Sequence, residues 1–210
     1  MPNLLKPLHR LDFKGVGKME KNINSYVGVL QEDKYVFTTH GLEELYMTHL
    51  VCVGASIPVV MPRTAHELYA GKRVRIDAFP RICRKRINNK RGVFAYLSCL
   101  DIELTDSTYE SRYVKIYGKV MSHMDLIEGD GRITSMHFEL ECVVPTGNNK
   151  TVTALAPCRA FNKTARRLRS LKKGDMITVT GYITGDRESL RVVVNYYIKD
   201  EAQQSGLAVG

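Results

Sequence analysis

Six cations and no acid stand within the run Arg-Ile-Cys-Arg-Lys-Arg-Ile-Asn-Asn-Lys-Arg, from Arg81 to Arg91. Arg81, Arg84, Lys85, Arg86, Lys90 and Arg91 have the chemistry to neutralise successive phosphates of a polyanion and release its counterions. A surface kept soluble by charge mixes both signs, so an uncompensated run argues for contact with an anionic partner. The Ile-Asn-Asn in its middle supplies turn chemistry. The cations therefore flank the tip of an extended hairpin. A second basic group, Arg166, Arg167, Arg169, Lys172 and Lys173, falls in a helical pattern, where an exposed basic face is ordinary.

Other chemistries find less support. In Gly-Val-Gly-Lys-Met, from Gly15 to Met19, the first glycine of a phosphate loop is replaced by Asp12 and its Ser or Thr by Met19. His66-Glu67-Leu68 lacks the second histidine of a zinc-protease helix, and no G-x-S-x-G is present. Asp125, Glu128 and Asp130 lie in Met-Asp-Leu-Ile-Glu-Gly-Asp-Gly-Arg, which reads most simply as a polar hairpin. The six histidines are dispersed, and the five cysteines form no C-x-x-C pair, which points to reduced thiols rather than a zinc knuckle or disulfide framework. No catalytic site, metal or cofactor is expected. With 210 residues, a net charge of +9 and no apolar run of signal-peptide or membrane length, the chain is expected in a reducing cytoplasm.

The elements that position the cations are readable because the chain repeats itself. Tyr26–Leu30 matches Ile116–Val120, placing Gly28 opposite Gly118, and at the same spacing Cys52 falls opposite Cys142. Thr64, Ala65 and Leu68 lie opposite Thr164, Ala165 and Leu168, and Val74, Ile76 and Phe79 opposite Ile177, Val179 and Tyr182. Phe94, Tyr96, Leu100 and Ile102 match Leu190, Val192, Tyr196 and Ile198. Most segments alternate apolar and polar residues, the mark of half-buried strands. Met136, Phe138, Leu140, Cys142 and Val144, for example, share one face. Only the run from Lys163 to Lys173 has helical spacing, with Ala165, Leu168 and Leu171 on one side and Gly174 closing it.

Each copy thus reads as three strands, a short helix and two strands. The fold expected is all-β with short helices, two tandem five-stranded barrels of the oligonucleotide-binding (OB) type. The domains fall at 24–104 and 112–199, with an N-terminal arm over 1–23 and a C-terminal tail over 200–210. The basic hairpin then joins the fourth and fifth strands of the first barrel, a loop by which OB-folds grip oligonucleotides. With Ile177 and Val179 facing the core, alternation turns Tyr182 outward, and by the same logic Phe79.

The segment Arg-Ala-Phe-Asn-Lys-Thr-Ala-Arg-Arg-Leu-Arg-Ser-Leu-Lys-Lys-Gly-Asp-Met-Ile-Thr-Val-Thr-Gly-Tyr-Ile, from Arg159 to Ile183, resembles bacterial single-stranded DNA-binding proteins. In that family the third strand ends in a phenylalanine, a helix follows, and Lys-Lys-Gly leads into strand four. The resemblance extends by pattern over most of 112–199. It implies that Phe161 stacks on a base, against the alternative that its ring plugs the barrel bottom, and Lys163 beside it joins the candidate contacts. Three departures stand out. Leu155 occupies a position where the family usually has tryptophan, a residue this chain lacks altogether, and Glu139 and Glu141 beside it would repel phosphates on a binding face. The C-terminal Ala-Gln-Gln-Ser-Gly-Leu-Ala-Val-Gly lacks the family's acidic, phenylalanine-ended tail, so recruitment of partners by that route is not expected.

The function expected from these features is coverage of single-stranded DNA with little sequence preference, in replication, repair, recombination or transfer of mobile DNA. A homodimer would present four barrels. RNA binding, or a role as a protein-protein adaptor in a replication or conjugation complex, remains open at the level of sequence.

Overall fold

The computed structural model describes residues 22–37, 44–87, 90–122, 124–128, 134–147, 150–185 and 189–200. The first half runs β1 (Asn24–Leu30), β2 (Tyr35–Phe37), β3 (Leu45–Cys52), β4 (Ala55–Pro62), α1 (Arg63–Tyr69), β5 (Arg73–Ile87) and β6 (Lys90–Leu104). The second repeats it as β7 (Tyr113–Val120), β8 (Asp125–Glu128), β9 (Thr134–Gly147), β10 (Lys150–Phe161), α2 (Asn162–Leu168), β11 (Met176–Gly185) and β12 (Leu190–Lys199). In each half five strands pair around a ring, β1-β5-β6-β4-β3 returning to β1 and β7-β11-β12-β10-β9 returning to β7. The short β2 and β8 are hairpin partners of β3 and β9. The acidic segment at Asp125–Glu128 is therefore part of a hairpin, with Asp130 outside the described residues.

Two of the matched positions in the repeat prove to be one packing unit. A Cβ on Gly28 would lie 2.4 Å from the Val51 carbonyl oxygen and 2.9 Å from the Cys52 Cβ. On Gly118 it would lie 2.6 Å from the Glu141 carbonyl oxygen and 3.5 Å from the Cys142 Cβ. Each ring closes where its first strand crosses the strand bearing that cysteine, and only a glycine allows so close an approach. Inside the second barrel Met136, Phe138, Leu140, Cys142 and Val144 are all buried, as alternation requires. Burial pushes the Cys52 thiol up to about 11 and the Cys142 thiol to about 12, so both stay protonated at neutral pH and act as packing groups.

The helices diverge more than the strands. In α2, Ala165 and Leu168 are buried, as is Leu171 just beyond it, and Gly174 takes a φ of 98°. In α1 Ala65 and His66 are buried whereas Leu68 is exposed. His66 takes the inward place instead, its ring edge-on to Tyr46 at 5.7 Å.

The two halves pack into one core that runs through both. β5 packs against β10, β4 against β11, β6 against β12 and β1 against β7. The intervening chain is strapped to the first half. Arg73 donates to the carbonyls of Ser107 and Thr108 at 2.6 and 3.1 Å and pairs with Glu110 at 3.2 Å, and Val27 bridges to Ser111. Two asparagines then cap the backbone of β7. Asn24 accepts from the Lys115 N–H at 2.8 Å and donates to the Lys115 carbonyl at 3.2 Å. Asn22 accepts from the Tyr117 N–H and donates to the Val143 carbonyl, both at 2.8 Å.

Asn22 is 2% exposed, so Asn22→Ala strands two backbone groups at the junction of the halves. The expected loss is about 1–3 kcal/mol of folding stability, read as a lower urea midpoint at unchanged slope. An unchanged midpoint would mean that this amide does not hold the halves together.

Candidate nucleic-acid interface

The register of the second barrel assembles a belt on its outer surface. His137 on β9 stands opposite Arg159 on β10, Arg159 beside Val193 on β12, Val193 opposite Tyr182 on β11, and Tyr182 opposite Tyr113 on β7. Directly opposed residues on one face lie about 5 Å apart, so the belt is continuous across five strands. The residues flanking it along each strand, Cys158, Val192, Val194, Gly181, Ile183 and Val114, point into the barrel and are buried, which fixes the belt as the outward row, although Val193 in its middle is itself buried, at 6% exposed. Tyr182 is half-buried and Tyr113 exposed.

Gly181 and a bulge shape this surface. The β11–β12 register shifts between Thr180 and Gly181, leaving Asn195 unpaired. A Cβ on Gly181 would lie 1.9 Å from the Val193 carbonyl oxygen. The extra residue reverses the alternation of β12: Leu190, Val192 and Val194 point into the core, whereas Tyr196 and Ile198 are exposed. The first half carries the same bulge, with Leu100 unpaired between the Asp77–Asp101 and Ala78–Cys99 pairs, so the sequence match of Tyr196 with Leu100 is one residue out of register and Asn195 is the counterpart of Leu100.

Two rings of this half carry a guanidinium above them. Arg112 lies 4.7 Å from the centroid of Tyr182, and Arg159 lies 4.7 Å from that of Phe161. Such a pair presents positive charge beside an aromatic face, the combination that takes a flat base and its phosphate together. Phe161 closes β10 beside the buried Ala160 and is itself half-buried. Its ring is thus at the rim and not the plug of the barrel. Lys163 is exposed on the first turn of α2.

Phe79 requires a correction. It is 1% exposed, although alternation does turn it away from Val74, Ile76 and Ala78. The outer face it occupies is covered: Phe79 and Val60 both flank Ser98, and Pro58, Val60 and Phe79 are all buried. Their strands β4 and β5, with β6 between them, are those that pack on the second half. Alternation gives direction relative to one barrel, whereas exposure depends on where the other barrel sits.

The basic hairpin forms as expected, with β5 and β6 paired up to Ile87 and Lys90. The ladder carries Lys85 opposite Gly92 and Arg86 opposite Arg91, and Asn88 and Asn89 lie outside the described residues. Arg81 is half-buried opposite Tyr96. Arg84 is exposed and pairs with Glu139 of the second half at 3.3 Å. An acid distant in sequence thus compensates one of the six cations. Glu141 is likewise matched, by Lys119 at 2.8 Å, so the two carboxylates beside Leu155 do not stand bare. Arg112, Tyr113, Arg159 and Arg191 were not singled out by sequence reasoning. Counting across the strands from Tyr182 would have found Tyr113 and Arg159, but only with the register in hand.

Two closed five-stranded barrels, each with a helix between its third and fourth barrel strands, define a tandem OB-fold protein. Among solved structures the chain is similar to the wild-type single-stranded DNA binding protein from Thermus aquaticus, with a TM-score of 0.64 and 14% identity over 85% of this chain and 91% of that one. A deletion mutant of the same protein gives the same score and identity, with 93% of its chain covered. At this identity the likeness is one of fold. No protein-family model matches the chain, and no curated protein matches it in sequence.

Proposed function

We propose that this protein binds single-stranded DNA with little sequence preference, serving replication, recombination, repair or transfer of mobile DNA as a non-catalytic coat. The observation that carries the reading is Arg159, Tyr182 and Tyr113 on one outward row, with Phe161 at its rim and the guanidiniums of Arg112 and Arg159 over the Tyr182 and Phe161 rings. Aromatic faces accept any base, and cations accept any phosphate, so neither selects a sequence. The tandem fold shared with the Thermus aquaticus protein, itself a single-stranded DNA binding protein, supports the same reading, as does the basic hairpin.

The hairpin supplies the test. For single strands each neutralised phosphate contributes about 0.7 to the log-log salt slope. Replacing Arg84, Lys85 and Arg86 together by serine should make that slope shallower by about 1.4 to 2 units, the lower figure if Arg84 stays committed to Glu139. Affinity should fall alike for every base composition. A hairpin that docks an acidic protein instead would leave the slope for oligonucleotide unchanged.

A further inference from the structure

A groove of about 600 Å³ runs between the two halves. The first half contributes Ile82, Arg84, Val93 and Ala95 to its lining, and the second contributes His137, Glu139, Pro157, Arg159, Leu190 and Arg191 among others. At one wall Ala95 bridges to Ser189, so the halves are joined by backbone there. Three guanidiniums face one carboxylate, and that carboxylate, Glu139, is matched by Arg84. Arg159 and Arg191 remain in excess. Arg191 is exposed and Arg159 half-buried, with the buried Nε of Arg159 turned away from solvent. Partial burial, Arg159 and Arg191 together hold the His137 imidazole below the usual histidine range.

The geometry points to a phosphodiester site in this groove: the strand leaves the belt at Arg159 and passes between the barrels, a phosphate held by Arg159 and Arg191 and the attached sugar or base against Ile82 and Val93. The inference rests on the reading of the protein as a single-strand binder and adds a path to it. His137 and Arg159 are common to belt and groove, while Arg191 belongs to the groove alone. A strand threaded here touches both halves at once, which couples their affinities without a flexible linker.

Fluorescent oligothymidine titrated into the full-length protein over a salt series tests the path. Arg191→Gln should make the log-log slope shallower by about 0.7, and Arg159→Gln with Arg191→Gln by about 1.4, with thermal unfolding checked for each variant. A second measurement uses the wild-type chain. The pKa of His137, followed by NMR of its ring protons, should rise when oligothymidine saturates the protein, because a phosphate offsets the two guanidiniums. Arg84, Glu139, Arg159 and Arg191 line the groove with His137, and Arg159 and Arg191 act on its ring. Oligothymidine that binds with an unchanged slope in Arg191→Gln and an unchanged His137 pKa would overturn the groove site and leave the general reading intact. Failure of the wild-type chain to bind oligothymidine at any salt would overturn both.

Discussion

Phe79→Ala is expected to remove about 3–5 kcal/mol of folding stability, the range for emptying a buried phenylalanine site. The ring is fully buried on a sheet face that the second half covers, so the truncation leaves a cavity that the neighbouring strands fill only in part. In the protein that remains folded, affinity for single strands should be unchanged. Chemical denaturation with a parallel oligonucleotide titration reads both quantities. The opposite pattern, lost affinity at full stability, would return Phe79 to a binding surface and contradict the packing of the halves.

Phe161→Ala combined with Tyr182→Ala is expected to produce the largest loss of binding. Each stacked base contributes on the order of 1–3 kcal/mol. If the two rings stack separate bases the losses add, giving about 2–6 kcal/mol for the double variant. Both rings are only half-buried and outward, so the melting temperature should move little. A double variant that binds as tightly as the wild-type chain would leave the arginines as the whole of the interface. One that melts far lower would show the rings to be packing groups.

The contrast between Phe79 and Tyr182 marks how far the sequence could be read. Alternation, the repeat, and the order of three barrel strands, helix and two barrel strands were legible because they depend on local pattern, whereas the short β2 and β8, which give each half a fourth strand before its helix, were not. Gly28 and Gly118 were visible as matched positions, and their shared crowding against Cys52 and Cys142 explains the match. The burial of Phe79 was hidden because it arises between barrels, and no strand periodicity encodes the contact of one domain with another. The Arg84–Glu139 pair was hidden for the same reason. The exposure of Tyr196 turned on one unpaired residue, Asn195, whose bulge reverses every side chain beyond it. For the candidate site, Tyr182, Phe161 and the hairpin could be named from sequence, whereas the belt required the register of β7, β9, β10, β11 and β12.

The most direct measurement of the central claim is equilibrium binding of fluorescent oligothymidine to the wild-type protein across salt, with oligouridine alongside. If the five hairpin cations other than Arg84 each neutralise a phosphate, they alone set a log-log slope of at least 0.7 × 5, about 3.5. Raising salt from 50 to 200 mM should then weaken binding by at least about 100-fold, and other deoxyribose homopolymers should follow the same slope. No binding at 50 mM, or binding indifferent to salt, would contradict the account, and a clear preference for oligouridine would reassign the strand from DNA to RNA.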